Sequence, residues 1–143
     1  MRLNNIRPLR LIALILILCV AGVAPASQSI NWRSYEEGMV LGKIEKKKVF
    51  LHFYADWCGF CNKMAKDTFQ YTDVITYLNE NFISVRVNTD REQETAAGYG
   101  VMGLPTTIFL TEGGEPILSV PGYIGPETLL PMLKEINGLK TGS

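Results

Sequence analysis

Runs of hydrophobic residues alternate with more polar segments along the chain and predict alternating strands and helices. Runs at 49–55, 82–87 and 106–110 are predicted strands, and the first is apolar on both faces, which is typical of a central strand that is covered on both sides. A fourth run at 116–120 follows the turn residues Gly113-Gly114 and is expected to return antiparallel to the third. The pattern predicts an α/β fold with a central mixed sheet and helices on both of its faces.

The segments between these runs carry apolar residues three or four positions apart, as helices that pack one face on a sheet do. Four helical stretches are predicted, at 59–69, 72–78, 90–99 and 127–136. The lead-in over 27–48 also has helical character, because Trp32, Tyr35 and Met39 recur at spacings of three and four. This order of elements places the end of the strand over 49–55 at the edge where open α/β sheets usually carry their sites.

The first 26 residues have the composition of a targeting segment. Three arginines precede an apolar run over 11–20, and Ala24-Pro25-Ala26 provides the small residues of a cleavage site. We therefore expect a signal peptide over 1–26 and a single exported domain over 27–143, placed in the periplasm or an equivalent compartment. An uncleaved anchor that holds the domain at the membrane, facing the periplasm, is the alternative.

The charge and the ligand types argue against several classes of function. Three of the 14 basic residues lie in the leader and none of the 14 acidic ones does, so the remaining chain has a net charge of −3. The one basic run, Lys46-Lys47-Lys48, is short, and no nucleic-acid partner is expected. His52 is the single histidine and, with two cysteines, falls short of the four ligands of a structural zinc site. We expect neither a metal nor another cofactor.

The chain has three cysteines, and Cys19 belongs to the apolar leader. The other two, Cys58 and Cys61, stand two residues apart between the strand over 49–55 and the helix over 59–69. Unpaired backbone N–H groups and the helix dipole at such a junction favour an anion, which lowers a thiol pKa. The spacing indicates a thiolate with a second thiol in reach, hence redox chemistry. A purely structural disulfide is the alternative, although closing so short a loop gains little entropy.

The motif Phe53–Cys61 (FYADWCGFC), the run Leu104-Pro105-Thr106 about 45 residues downstream and Gly122 after the last strand resemble the thioredoxin family. The resemblance covers nearly all of the chain after about residue 30. Within the family the chain is most similar to exported domains such as the C-terminal periplasmic domain of the transmembrane disulfide reductase. The resemblance implies a thioredoxin fold and a thiol–disulfide oxidoreductase activity that needs no cofactor, because the thiols carry the electrons.

The resemblance also implies roles for single residues. Cys58 would be the attacking thiolate and Cys61 the resolving thiol. The residues that it assigns to substrate binding are Trp57, Leu104, Pro105 and Gly122. Pro105 would be a cis-proline facing the cysteines, and the Leu104 backbone would pair with an extended substrate. For Pro105 the alternative is an ordinary trans turn proline. For Trp57 it is a half-buried packing residue, and for Gly122 it is a plain turn glycine.

His52 departs from the family, in which most members have a buried acid at this strand position. The alternation of the strand places His52 on the inward side, beneath Cys61. Burial favours a neutral imidazole, and Arg86 on the neighbouring strand would act in the same direction. We expect His52 to take the acid's place as the general base that accepts the Cys61 proton. A core histidine without a catalytic role is the alternative.

The Gly59-Phe60 pair between the cysteines is the second departure. Relatives with Gly-Pro there tend to be reductants, and those with a histidine tend to be oxidants or isomerases. Phe60 offers no donor to a thiolate, so we expect a potential closer to about −270 mV than to about −120 mV, the values of thioredoxin and DsbA. The aliphatic Leu104 before Pro105 also favours a reducing protein.

These observations predict an exported reductase of protein disulfides in the cell envelope. Because exported compartments are oxidising, a thiol carrier in the membrane is expected as the electron donor. The protein is expected to be a monomer. A disulfide oxidase or isomerase on the same fold is the nearest alternative, and a non-catalytic protein-binding module is the third.

Overall fold

The computed structural model describes residues 29–140, so the expected signal peptide over 1–26 lies outside the described residues. The strands are β1 (Trp32–Arg33), β2 (Lys48–Tyr54), β3 (Phe82–Asn88), β4 (Thr106–Leu110) and β5 (Pro116–Pro121). The helices are α1 (Tyr35–Glu45), α2 (Gly59–Asp67), α3 (Thr72–Asn81), α4 (Gln93–Gly98) and α5 (Pro126–Gly138). Within this part of the chain, no helix combines the length and the apolar character that crossing a membrane requires.

The five strands form one sheet in the order β1-β3-β2-β4-β5, and the sheet is mixed, as the sequence predicts. β2 lies at the centre, parallel to β3 and antiparallel to β4. Its five middle residues, Val49–Phe53, are all buried, as expected for a continuous apolar run covered on both faces. β5 closes the other edge, antiparallel to β4.

Each face of the sheet carries its own hydrophobic core, because successive residues of β2 point to opposite sides. Phe50 packs with Met64 of α2, Leu78 of α3 and Leu129 of α5 on one face. The second core consists of Val49, Leu51, Phe53, Val85, Val87 and Ile108, together with parts of α1 and α4. Each fully buried side chain of this size stabilises the fold by about 1.5–3 kcal/mol. Helices thus cover both faces, as predicted.

The lead-in differs from its prediction, because it begins as a strand. Trp32 lies in β1 and packs against Phe69, with 5.1 Å between the ring centroids, on the first face. Tyr35 and Met39 lie on α1 and pack into the core of the opposite face. The chain therefore crosses the edge of the sheet at Ser34, whose hydroxyl accepts a hydrogen bond from the N–H of Glu37 and caps α1.

The carboxyl end of β2 positions the cysteines. β2 ends at Tyr54, and α2 begins at Gly59 after a short turn, so Cys58 becomes the N-cap of α2. The segments before β4 and after β5 approach the same edge, where the N–H of Gly122 donates to the carbonyl of Pro105 over 2.7 Å. Gly122 has a φ of 92°, a backbone conformation that favours glycine.

Candidate active site

Cys58 and Cys61 are joined by a disulfide, with 5.2 Å between their Cα atoms. Both side chains are buried, and the Sγ atom of Cys58 accepts a hydrogen bond from the N–H of Cys61 over 3.2 Å. Cys58 lies at the start of α2, where the helix dipole is positive. The same N–H and dipole would stabilise a thiolate at Cys58 in the reduced pair, so this is the sulfur suited to nucleophilic attack.

The loop before β4 lies against the disulfide. Leu104 packs on the cluster formed by Ala55, Cys58 and Cys61, and the Leu104–Pro105 peptide bond is cis. The structure thus brings Leu104 and the cysteines into contact, and the hydrogen bond from Gly122 places that glycine beside Pro105. Their expected role in holding a substrate chain depends on a bound partner and stays a prediction.

Two large apolar side chains of the motif are exposed, and a third is exposed in the loop before β4. Trp57 is 72% exposed, Phe60 is 64% exposed and Met102 is 98% exposed. The indole Nε1 of Trp57 donates to the carboxylate of Asp90 over 2.9 Å, which fixes the ring at the surface. Trp57 is therefore a surface residue and not a core packing residue. Sequence reasoning missed both Met102 and Asp90, and only the proximity of Met102 to Pro105 could have indicated the former.

His52 is fully enclosed at the centre of β2. Its ring packs edge-on against Phe69, with 4.9 Å between centroids, and its Nδ1 lies 3.3 Å from the hydroxyl of Thr107. Burial, and secondarily the nearby Arg86, lower the pKa of His52 from 6.5 to about 3. The imidazole is therefore neutral at physiological pH, as the sequence analysis expects.

Arg86 occupies the position on β3 that is opposite His52. Its guanidinium carbon lies 4.0 Å from the ring centroid of Tyr54 and 5.2 Å from that of Trp32. Its Nε is buried without a hydrogen-bond partner. Ion pairs in the described part of the chain include Arg33–Glu37, Lys47–Glu45, Lys63–Asp67 and Arg91–Asp56, and none of these four involves Arg86. The cation is instead held by two aromatic faces.

A polar cluster at the surface links α2 to the loop that follows β5. Lys63 pairs with Asp67 one turn further along α2, and its ammonium lies 4.5 Å from the ring centroid of Tyr123. The hydroxyl of Thr68 donates to the carbonyl of Ile124 over 2.6 Å and fixes the same loop from the buried side. Sequence reasoning missed Tyr123, since nothing in its local pattern distinguishes it from a plain loop residue.

Known proteins resemble this arrangement in sequence and in fold. The family described as thioredoxin-like domain matches residues 35–137. Thioredoxin from Borreliella burgdorferi is 33% identical over 93 residues, which are 64% of this chain and 75% of that protein. The thiol:disulfide interchange protein DsbD of Vibrio vulnificus is 34% identical over 91 residues, 61% of this chain. The chain corresponds to only 15% of the length of that DsbD.

The solved structures show the same fold. A structure of the DsbH oxidoreductase superimposes with a TM-score of 0.71 at 23% sequence identity and covers 85% of this chain and 94% of that one. At this identity the likeness concerns the fold alone.

Proposed function

We propose that this chain, which belongs to the thioredoxin-like family and is a thiol–disulfide oxidoreductase, works as an exported reductase of protein disulfides. The observation that carries the proposal is the position of the Cys58–Cys61 pair. Cys58 lies at a helix start with a backbone N–H directed at its sulfur, and two residues of the motif, Trp57 and Phe60, are exposed apolar side chains. Such a site combines an activated thiolate with a surface that a protein substrate can contact.

The proposed reaction passes two electrons from the cysteine pair to a substrate disulfide. The Cys58 thiolate attacks one substrate sulfur, the substrate S–S bond breaks, and the released thiolate takes a proton from solvent. Cys61 then loses its proton and attacks the Cys58 sulfur of the mixed disulfide. This second step expels the other substrate thiolate, which takes up the proton that Cys61 released, so the substrate ends with two thiols and the protein with the disulfide seen in the structure.

His52 is proposed as the base that receives the Cys61 proton. With a pKa of about 3, against about 8.5 for an ordinary thiol, the transfer to His52 is uphill by about 7 kcal/mol. This free-energy difference is the minimum barrier, and it sets an upper limit of roughly 10⁷ transfers per second, far more than a turnover needs. The low pKa of His52 is therefore compatible with a histidine that holds the Cys61 proton briefly, although not with an imidazolium that persists at neutral pH. An unchanged rate of mixed-disulfide resolution in His52→Ala would contradict this role.

The substrate chain is proposed to extend along the loop before β4. The packing of Leu104 on the cysteines supports an added strand at its backbone, with Pro105 and Gly122 forming the adjacent wall. Trp57, held by Asp90, would contact the substrate from the other side.

The reducing direction and the exported location rest on the sequence. Phe60 is exposed and offers no hydrogen-bond donor to a Cys58 thiolate, which favours a low reduction potential. The apolar run and small residues of segment 1–26 support export. An exported reductase needs a source of electrons, and a thiol carrier in the membrane is the proposed donor. We propose that the protein acts as a monomer.

Two measurements on the purified protein test the proposal. We expect catalysed reduction of insulin by dithiothreitol, and a reduction potential of the cysteine pair near about −270 mV in a thiol buffer, the value of thioredoxin. A potential near about −120 mV would instead assign the protein as an oxidase or isomerase. Cys58→Ser serves as the control, because the variant must lose the activity if thiol chemistry, and not protein binding, is the function.

A further inference from the structure

We propose that Thr68 is a positioning residue of this site: its hydroxyl, bonded to the Ile124 carbonyl, holds the segment 122–124 in place beside the substrate. The inference rests on the proposed function, because it concerns the wall that Pro105 and Gly122 are proposed to form along the substrate chain. It starts from a buried hydrogen bond that joins two residues 56 positions apart in the sequence.

Thr68 is the C-cap of α2 and is fully buried. Its backbone N–H donates to the carbonyl of Met64 and completes the helix, while its side chain contacts a distant segment. The hydroxyl donates to the Ile124 carbonyl over 2.6 Å, and Ile124 is itself only 4% exposed. Because water has little access to a buried carbonyl, removal of the hydroxyl leaves this acceptor without its partner and destabilises the present conformation of the segment.

The segment 122–124 leads from this hydrogen bond to the proposed wall. The N–H of Gly122, at its start, donates to the carbonyl of Pro105 over 2.7 Å. Leu104, the residue before Pro105, packs on the cysteines. A displacement of the segment is therefore passed directly to the residues that are proposed to contact the substrate chain.

The contacts form a closed cycle that includes α2. Cys58 caps the start of this helix and Thr68 caps its end. From Thr68 the cycle continues through the segment 122–124 to Pro105 and returns through Leu104 to the cysteines. The wall is thus held relative to the cysteines at two points, by Leu104 near the start of α2 and by Thr68 at its end.

A second contact between α2 and this segment lies at the surface. The ammonium of Lys63 lies 4.5 Å from the ring centroid of Tyr123, and the Tyr123 hydroxyl donates to the carboxylate of Asp67 over 3.4 Å. The side chains of Lys63 and Asp67 are 51% and 44% exposed, and solvent competes for such polar contacts, so they contribute little. The buried hydrogen bond of Thr68 is therefore the contact that we expect to hold the segment.

Loss of the Thr68 hydroxyl should weaken the binding of a protein substrate without changing the thiols. A wall that is displaced for part of the time lowers the apparent affinity by the fraction of molecules in which it is in place. For one buried hydrogen bond we expect an increase in KM of about threefold to tenfold. The N–H directed at the Cys58 sulfur belongs to the opposite end of α2, so the reactivity of the thiol should stay unchanged.

The test compares Thr68→Val, which removes the hydroxyl and keeps the branched shape, with Thr68→Ser, which keeps the hydroxyl. In Thr68→Val we expect a KM for insulin about threefold to tenfold higher at a nearly unchanged kcat. We also expect the Gly122 amide, followed by NMR, to exchange its hydrogen faster by a similar factor. Thr68→Ser should stay near the wild type in both measurements.

Two controls separate the wall from the thiols and from the fold. Reduction of dithiobis-nitrobenzoate, a disulfide that has no peptide backbone, should proceed at the wild-type rate in Thr68→Val. Ser84→Ala is the matched variant, because it removes a buried hydroxyl on β3 for which the structure shows no hydrogen-bond partner. We expect Ser84→Ala to keep the wild-type KM and the wild-type exchange rate of Gly122.

The outcomes distinguish this inference from the proposed function. A folded Thr68→Val with the wild-type KM or the wild-type exchange of Gly122 would overturn the inference, and so would an equal rise of KM in Thr68→Ser. If Thr68→Val does not fold, Thr68→Ala takes its place, and failure of both to fold would assign Thr68 a purely structural role and equally overturn it. A wild-type protein that fails to reduce insulin would contradict the proposed function, whereas the exchange of the Gly122 amide would still show whether Thr68 holds the segment.

Discussion

The burial of a neutral histidine predicts how the stability of the fold depends on pH. His52 has a pKa of about 3 in the folded protein and of 6.5 as a free side chain, so only the unfolded chain takes up a proton between these values. Because the unfolded state binds more protons, the free energy of unfolding falls as the pH drops through this window. The slope approaches about 1.4 kcal/mol per pH unit, and the loss between pH 7.5 and 4.5 is about 2.5 kcal/mol.

Urea denaturation of the oxidised protein at a series of pH values measures this loss, with His52→Gln as the reference. Glutamine does not titrate and keeps a polar group opposite the Thr107 hydroxyl. We expect the wild type to lose about 2.5 kcal/mol more than the variant between pH 7.5 and 4.5. The pKa values of the Asp67 and Glu115 carboxylates are lowered, chiefly by hydrogen bonds from Lys63 and Thr111, but both carboxylates are present in the wild type and in the variant, so their contributions cancel in the comparison. Parallel stability curves for the two proteins would show that His52 titrates normally and would refute the reasoning.

Three further predictions follow from packing, a surface hydrogen bond and the motif. Gly38→Ala places a Cβ on the Val85 Cγ2 atom, and we expect the free energy of unfolding, measured with urea, to fall by about 1–2 kcal/mol even after the gain in helix propensity. An unchanged urea midpoint would contradict this expectation. Asp90→Ala frees the Trp57 indole, so we expect lower tryptophan fluorescence anisotropy and a KM for insulin about threefold higher, while the rate at which iodoacetamide alkylates Cys58 stays unchanged. An unaltered KM would show that the bond from Trp57 to Asp90 does not assist substrate binding. Phe60→His supplies a hydrogen-bond donor beside the Cys58 thiolate and should raise the reduction potential by tens of millivolts. Equilibration with glutathione measures the potential, and a lower value than that of the wild type would contradict the proposed effect of Phe60.

Four of the five strands and the cysteine site were predictable because their signals are local. The continuous apolar run of β2 and the C-x-x-C motif directly after it fix a buried strand, a turn and a helix start without any knowledge of the partners. The lead-in was not predictable in the same way. Trp32, Tyr35 and Met39 have helical spacing, yet Trp32 packs on one face of the sheet and the other two on the opposite face. Spacing alone does not reveal that a chain crosses a sheet edge between two apolar residues.

Contacts between distant segments were beyond the reach of the sequence pattern. The bond from Trp57 to Asp90 joins residues 33 positions apart, and the approach of Lys63 to Tyr123 joins residues 60 positions apart. Each depends on how segments that are distant along the chain come together in the folded protein. Arg86 is an intermediate case: the parallel register with His52 could be expected, but its position between two aromatic rings depends on where β1 lies.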